Sequence, residues 1–122
     1  LAHCEEIVAK SSKDFMLISG DDLLTQDIVA LGGNGVISVI ANGLPKEMCE
    51  ITNSALEKNI PAARKATDRL QTLNPLLYKE SNPVGIKEVL KLQDVCGSQV
   101  RLPLLPPTSE LQTMIQAEFE KL

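Results

Sequence analysis

Apolar positions at the start of the chain recur at helical spacing. Leu1, Cys4, Ile7 and Val8 fall on one face of residues 1–12, with charged side chains opposite. This spacing predicts an amphipathic helix. The chain opens inside this helical pattern and not at a methionine, so we expect it to belong to a longer protein.

Two later runs are too continuously apolar for strands that expose one face to water. Phe15–Ser19 and Val36–Ile40 are each predicted to form a parallel strand buried on both faces. The helix predicted between them, residues 23–31, follows Asp21-Asp22, either of which can cap it, and ends at Gly32-Gly33. A further helix is predicted from Pro45. Its expected inner face consists of Met48, Ile51, Thr52, Ala55 and Leu56.

Prolines divide the second half of the chain. A long helix is predicted from Pro61, kinked at Pro75, and a second one after Ser81-Asn82-Pro83 up to about Gln93. Their apolar positions are Ala63, Ala66, Leu70, Leu73 and Leu77, then Ile86, Val89, Leu90 and Leu92.

The last part of the chain predicts an extended segment and one more helix. Arg101–Pro107 holds three prolines and should be extended. Ser109 with Gln112 predicts a capping box for the final helix, which turns Leu111, Met114, Ile115 and Phe119 inward. The whole pattern divides into residues 1–60, where helices and parallel strands alternate, and residues 61–122, which are helical.

Composition narrows the class of protein. The chain has 122 residues, 43% of them hydrophobic, which suits one folded domain. Its net charge of −4, without a basic cluster, disfavours nucleic-acid binding. No apolar run approaches the roughly 18 residues of a membrane span, and no signal peptide is visible. Three widely spaced cysteines indicate reduced, partly buried thiols and a cytoplasmic location, not disulfides or a metal site.

Few motifs carry chemistry on their own. The turn Gly32-Gly33-Asn34-Gly35 lies before a strand, whereas a phosphate loop follows one, so helix termination explains it better. Asp21-Asp22 could be paired catalytic carboxylates or metal ligands, but helix capping is favoured because no third ligand is near. The single histidine, His3, is predicted at the surface.

The lysines are candidates for a Schiff-base nucleophile, which requires a desolvated apolar site. All nine fall on predicted helices or turns and none within either strand, so none is predicted to be a nucleophile. They are Lys10, Lys13, Lys46, Lys58, Lys65, Lys79, Lys87, Lys91 and Lys121.

Five short motifs occur together in one order. They are Leu17-Ile18-Ser19-Gly20-Asp21-Asp22, Gly35-Val36-Ile37-Ser38-Val39, Ala41-Asn42, Asn82-Pro83 and Arg101-Leu102-Pro103-Leu104. This ordered set resembles the carboxyl-terminal part of the dihydrodipicolinate synthase family, within the N-acetylneuraminate lyase superfamily. The resemblance covers essentially the whole chain.

The resemblance implies an α/β fold: the last two strands of a TIM (β/α)8 barrel, with their helices, in residues 1–60 and three carboxyl-terminal helices in residues 61–122. It implies a lyase of the class I aldolase type that joins pyruvate to L-aspartate 4-semialdehyde through a Schiff base, in lysine (diaminopimelate) biosynthesis. The family's Schiff-base lysine and general acid–base tyrosine match no position here, so no catalytic residue is expected in this chain. Neither a cofactor nor a metal is implied.

Three positions match the family's pyruvate pocket. Ile37 is expected to bind pyruvate through its main-chain carbonyl, while Gly20 and Asp21 are expected to line the pocket. The resemblance also implies a cytoplasmic homotetramer that binds neither nucleic acid nor membrane. Two alternatives remain: a sibling pyruvate-dependent aldolase resembling N-acetylneuraminate lyase, and a non-catalytic helical module whose strands pair with a partner chain.

Overall fold

The computed structural model describes residues 1–122. The chain forms seven α-helices, two strands and one 3-10 helix. In chain order these are α1 (Ala2–Lys10), β1 (Ile18–Ser19), α2 (Thr25–Ala30), β2 (Gly35–Val36), the 3-10 helix (Ile40–Asn42), α3 (Pro45–Leu56), α4 (Ile60–Asp68), α5 (Leu73–Tyr78), α6 (Val84–Leu92) and α7 (Ser109–Phe119). The chain packs as two compact units: Leu1–Ser38 with Lys46–Asp68, and Val39–Pro45 with Arg69–Leu122. No helix in the structure combines the length and the apolar character that a membrane span requires.

The first unit contains the parallel pair that the sequence predicts. β1 and β2 run parallel with Ile18 opposite Gly35 and Ser19 opposite Val36, and α2 connects them. The predicted order of helix, strand, helix, strand, helix is therefore confirmed. The sequence predicts this order because its apolar positions alternate between helical spacing and continuous runs.

The predicted length and burial of the strands are wrong. Each strand has two residues, and the end of the second apolar run turns into the 3-10 helix at Ile40. Phe15, Met16 and Ile37 are 53%, 69% and 79% exposed, so these runs are not covered on both faces. A strand continues only where a neighbour offers backbone partners, and each strand here has one neighbour.

The carboxyl end of α2 has the expected chemistry, and its start does not. The Asp21 Oδ1 atom accepts a hydrogen bond from the Leu24 amide at 3.0 Å, but this bond lies in the turn before the helix, and Leu24 holds the N-cap position of α2 without a side-chain cap. At the other end the amides of Gly32 and Gly33 donate to the carbonyls of Val29 and Ile28, and Gly32 has φ of +114°. This pair of bonds is a Schellman motif, in which glycine supplies the left-handed residue.

Helix α3 buries part of its predicted face. Met48, Ile51 and Ala55 are buried, and Ala55 packs with Val29 of α2 and Ala63 of α4. Thr52 is half-buried and its hydroxyl donates to the Met48 carbonyl, whereas Leu56 is 48% exposed. The prediction that Leu56 faces inward is therefore wrong. Leu56 is the last residue of the helix.

The second unit is built from α5, α6 and α7. The single helix predicted from Pro61 is in fact two, α4 and α5, separated by a turn at residues 69–72. Pro75 lies in the first turn of α5, where a proline costs no intrahelical hydrogen bond, so it does not kink a continuous helix. Four helices thus follow residue 59. The start of α6 after Pro83 is confirmed, as is the absence of a helix at 101–107. The prediction that this segment is extended is wrong at its start, where a turn brings the Leu104 amide to the Arg101 carbonyl at 3.1 Å.

Thr108, not Ser109, caps α7. The Thr108 Oγ1 atom accepts a hydrogen bond from the Leu111 amide at 3.3 Å, and the Gln112 side chain donates to the Pro107 carbonyl at 2.9 Å. The predicted capping box is one residue out of register because Glu80 holds Thr108. Its two carboxylate oxygens accept hydrogen bonds from the Thr108 amide and hydroxyl. Leu111 and Ile115 face inward as predicted, whereas Met114 is 36% exposed and Phe119 half-buried.

Gly85 should resist substitution because α5 and α6 approach closely there. A Cβ atom added at Gly85 would lie 2.4 Å from the Leu77 Cα and 2.6 Å from its carbonyl oxygen. Gly85→Ala should lower the free energy of unfolding by about 1–3 kcal/mol through overpacking, although alanine favours helices by about 1 kcal/mol. Urea denaturation measures this change. Gly20→Ala is the matched control, since no atom lies within 4 Å of its added Cβ. An equally stable or more stable Gly85→Ala variant would contradict the packing.

The Glu80–Thr108 contact predicts a pH-dependent stability. Hydrogen bonds from the Thr108 hydroxyl and amide lower the pKa of the Glu80 carboxyl below its ordinary value. The ionised carboxylate therefore stabilises the fold above the ordinary pKa of about 4.3, and this contribution is lost as the pH falls through the lower folded value. Glu80→Gln should lower the urea midpoint at neutral pH and match the parent chain once the Glu80 carboxyl of the parent is protonated in the folded and unfolded states. A midpoint difference that persists unchanged in acid would contradict this assignment.

Candidate functional site

The carboxyl ends of β1 and β2 form a polar edge in the first unit. The Ile37 amide donates to the Ser19 carbonyl at 2.9 Å, so the chains remain adjacent one step beyond the strands. With Ser19 opposite Val36, the same register sets Gly20 beside Ile37. Ligand sites in parallel α/β folds lie at this edge.

Ile37 and Gly20, the two positions that the family resemblance assigns to the pyruvate pocket, follow the ends of the paired strands. The Ile37 side chain is 79% exposed and its amide is used by Ser19, so the carbonyl is the group that it can offer to a ligand. Gly20 has no atom within 4 Å of an added Cβ, so the surface in front of it is open. A main-chain oxygen beside an open glycine can accept a hydrogen bond from a small molecule.

Asp21 lies at the same edge, but its carboxylate is engaged locally. Its Oδ1 atom accepts from the Leu24 amide at 3.0 Å, and its carbonyl accepts from Ser19 Oγ at 2.8 Å and Thr25 Oγ1 at 2.9 Å. Asp22 is buried, with 3% of its surface exposed. The structure contains no group of three side chains able to hold a metal ion.

The glycine turn serves the strand pair. Asn34 donates its amide to the Leu17 carbonyl at 2.7 Å and accepts the Leu17 amide on Oδ1 at 3.0 Å. Its side chain thus replaces a strand residue at the start of the ladder. Together with the Schellman bonds at Gly32 and Gly33, this contact agrees with the interpretation of the turn as a helix end.

The other candidate nucleophiles and ligands lie away from this edge. His3 is exposed, 3.9 Å from the Glu6 carboxylate, as predicted for a surface residue. No lysine lies in β1 or β2. Cys4 is half-buried, whereas Cys49 and Cys96 are exposed, so the prediction of partly buried thiols is wrong for these two.

Two hydroxyl residues at this edge escaped the sequence analysis. Ser19 and Thr25 are buried, with 2% and 0% of their surfaces exposed, and both donate to the Asp21 carbonyl. Ser19 also accepts the Asp21 amide at 3.1 Å. The available signal was the spacing Ser-x-Asp directly after an apolar run, which is typical of a serine that bonds its local backbone.

Comparison with known proteins agrees with this fold. The family model described as "Dihydrodipicolinate synthetase family" matches residues 1–122. The 4-hydroxy-tetrahydrodipicolinate synthase of Cytophaga hutchinsonii is 38% identical over all of this chain and 41% of its own length. The chain therefore spans about two fifths of such a relative.

Solved structures give the same result. Dihydrodipicolinate synthase from Aquifex aeolicus superposes with a TM-score of 0.93 and 34% identity over 98% of this chain and 41% of that one. The chloride-inhibited dihydrodipicolinate synthase from Acinetobacter baumannii, complexed with pyruvate, superposes with a TM-score of 0.92. It is 27% identical in sequence, and the match covers 98% of this chain and 41% of that one. The predicted fold class, the carboxyl-terminal part of a TIM barrel followed by helices, is confirmed. With its full length matched by the family model, the chain belongs to the dihydrodipicolinate synthetase family.

Proposed function

We propose that this chain is the carboxyl-terminal part of a 4-hydroxy-tetrahydrodipicolinate synthase, a lyase that condenses pyruvate with L-aspartate 4-semialdehyde in lysine biosynthesis. The main support is the match to relatives of that name over the full chain. The open edge at Gly20 and Ile37 supports it independently, because it lies where barrel enzymes hold their substrates.

In this proposal, Ile37 contributes a hydrogen-bond acceptor to the pyruvate pocket. A carbonyl oxygen cannot attract the carboxylate of pyruvate, which has no proton to donate. It can hold the hydroxyl of the adduct that forms when a lysine adds to the ketone. Ile37 would thereby orient the adduct while its hydroxyl leaves as water and the Schiff base forms. The lysine itself is proposed to lie in the part of the relatives that this chain does not span.

Gly20 and Asp21 take supporting roles. Gly20 leaves room for the substrate beside the Ile37 carbonyl, since a larger side chain would project into the open space. Asp21 bonds the Leu24 amide in the turn before α2 and so holds the loop that carries Gly20. Its carboxylate contributes to the pocket through this bond and needs no contact with pyruvate.

The division of the chain follows from the same proposal. Residues 1–60 would supply the last strand–helix units of the barrel. The other strands of the barrel would cover the exposed apolar side chains Phe15, Met16 and Ile18. Residues 61–122 would form the helical extension that contributes contacts to a homotetramer. The intact enzyme is proposed to act in the cytoplasm without a cofactor.

Complementation of a split barrel tests the function. This chain would be co-expressed with the amino-terminal part of the Cytophaga hutchinsonii synthase that it does not match, and the complex treated with labelled pyruvate and borohydride. We expect label only when both chains are present, attached to a lysine of the amino-terminal chain. Label on any lysine of this chain, or an assembled complex that takes no label, would contradict the proposal.

A matched pair of variants locates the pocket in the same experiment. Gly20→Leu adds a side chain at the open edge, whereas Ala117→Leu adds the same bulk at an exposed position on α7. Gly20→Leu should reduce labelling at least about tenfold, equivalent to about 1.4 kcal/mol of lost binding. Ala117→Leu should label like the parent chain. Equal labelling of both variants would exclude Gly20 from the pocket wall.

A further inference from the structure

The parallel ladder between the two strands ends in an unusual way at Asp21. In a regular parallel ladder, a residue that donates its amide to one strand accepts at its carbonyl from the residue two positions further along that strand. The Ile37 amide donates to the Ser19 carbonyl at 2.9 Å. The regular continuation would therefore direct the Asp21 amide to the Ile37 carbonyl.

The Asp21 amide bonds to the Ser19 side chain instead. Its Oγ atom accepts the Asp21 amide at 3.1 Å and donates its own proton to the Asp21 carbonyl at 2.8 Å. Both polar groups of the Asp21 backbone are thus satisfied by one hydroxyl, which is itself 2% exposed. The Ile37 carbonyl loses its ladder donor as a direct consequence.

Neighbouring contacts hold the Asp21 carbonyl and carboxylate. Thr25 Oγ1 donates to the same Asp21 carbonyl at 2.9 Å, and the Asp21 carboxylate accepts the Leu24 amide at 3.0 Å. These two bonds tie the Asp21 backbone to the start of α2. They do not involve the Asp21 amide, so only Ser19 determines whether that amide is available to Ile37.

We infer that Ser19 is a positioning residue for the reaction: its hydroxyl occupies the Asp21 amide and thereby keeps the Ile37 carbonyl available to the pyruvate adduct. This inference rests on the proposed function for its ligand, although the diversion of the ladder stands on geometry alone. Without the hydroxyl, the Asp21 amide has the Ile37 carbonyl as its natural partner. The acceptor would then be blocked while the two strands remain paired.

Ser19→Ala and Thr25→Val separate this role from general support of the turn. Each variant removes one of the two hydroxyls that donate to the Asp21 carbonyl, and only the first frees the Asp21 amide. Ser19→Thr keeps a hydroxyl at the same position and serves as the rescue variant. In the chain labelled with 15N and 13C, NMR couplings across hydrogen bonds report which carbonyl each amide reaches.

The parent chain, Thr25→Val and Ser19→Thr should show coupling from the Ile37 amide to the Ser19 carbonyl and none from the Asp21 amide to the Ile37 carbonyl. Ser19→Ala should keep the first coupling and gain the second. An Asp21–Ile37 coupling in the parent chain would overturn the inference whatever the folding of the variants, as would its failure to appear in a folded Ser19→Ala chain.

The functional part of the inference is measured in the complemented barrel. Ser19→Ala should reduce borohydride labelling at least tenfold, and Ser19→Thr should restore it, with Thr25→Val close to the parent. Equal labelling of Ser19→Ala and Thr25→Val would overturn the positioning role. If the parent complex takes no label, the proposed function fails, and the couplings still decide how the ladder ends.

Discussion

The hydrogen-bond ladder between Ile18–Ser19 and Gly35–Val36 is the interaction on which the candidate site depends. The ladder fixes the register that sets Gly20 beside Ile37. Helix α2 ends at Gly32 and Gly33, directly before the second strand of the ladder. The Asn34 side chain closes one end and the Ser19 hydroxyl the other. Because the Asp21 amide bonds to Ser19, the ladder ends before it reaches the Ile37 carbonyl.

The single neighbour of each strand also explains the exposed apolar side chains around the strands. Parallel strands are normally covered on both faces, yet Met16 and Ile37 are mostly exposed here. The relatives are more than twice as long as this chain. In the proposed intact enzyme, further barrel strands would cover these side chains, with the Ile37 carbonyl directed to the substrate.

Sequence reasoning predicted the order of elements well because each signal was local. The end of α2 at its glycines and the start of α6 after Pro83 depend on backbone chemistry within a few residues. The family resemblance then indicated Ile37 and Gly20, which the structure sets side by side.

Features that depend on distant partners were mispredicted or missed. The strands were predicted too long, because an apolar run does not show how many neighbours will pair with it. Ser109 was predicted to cap α7, but Thr108 is the cap. Glu80, which is far away in sequence, binds Thr108 and holds it in this position. Ser19 was missed although its bonds to Asp21 are local, and their effect on the Ile37 carbonyl depends on the pairing of β1 with β2, which the sequence does not show.

The most direct test of the account is a crystal structure of the complemented barrel after borohydride trapping with pyruvate. We expect the trapped adduct at the carboxyl ends of β1 and β2, with the Ile37 carbonyl facing it and the Asp21 amide on Ser19 Oγ. An adduct held elsewhere, or an Ile37 carbonyl that accepts the Asp21 amide beside a bound adduct, would contradict the account.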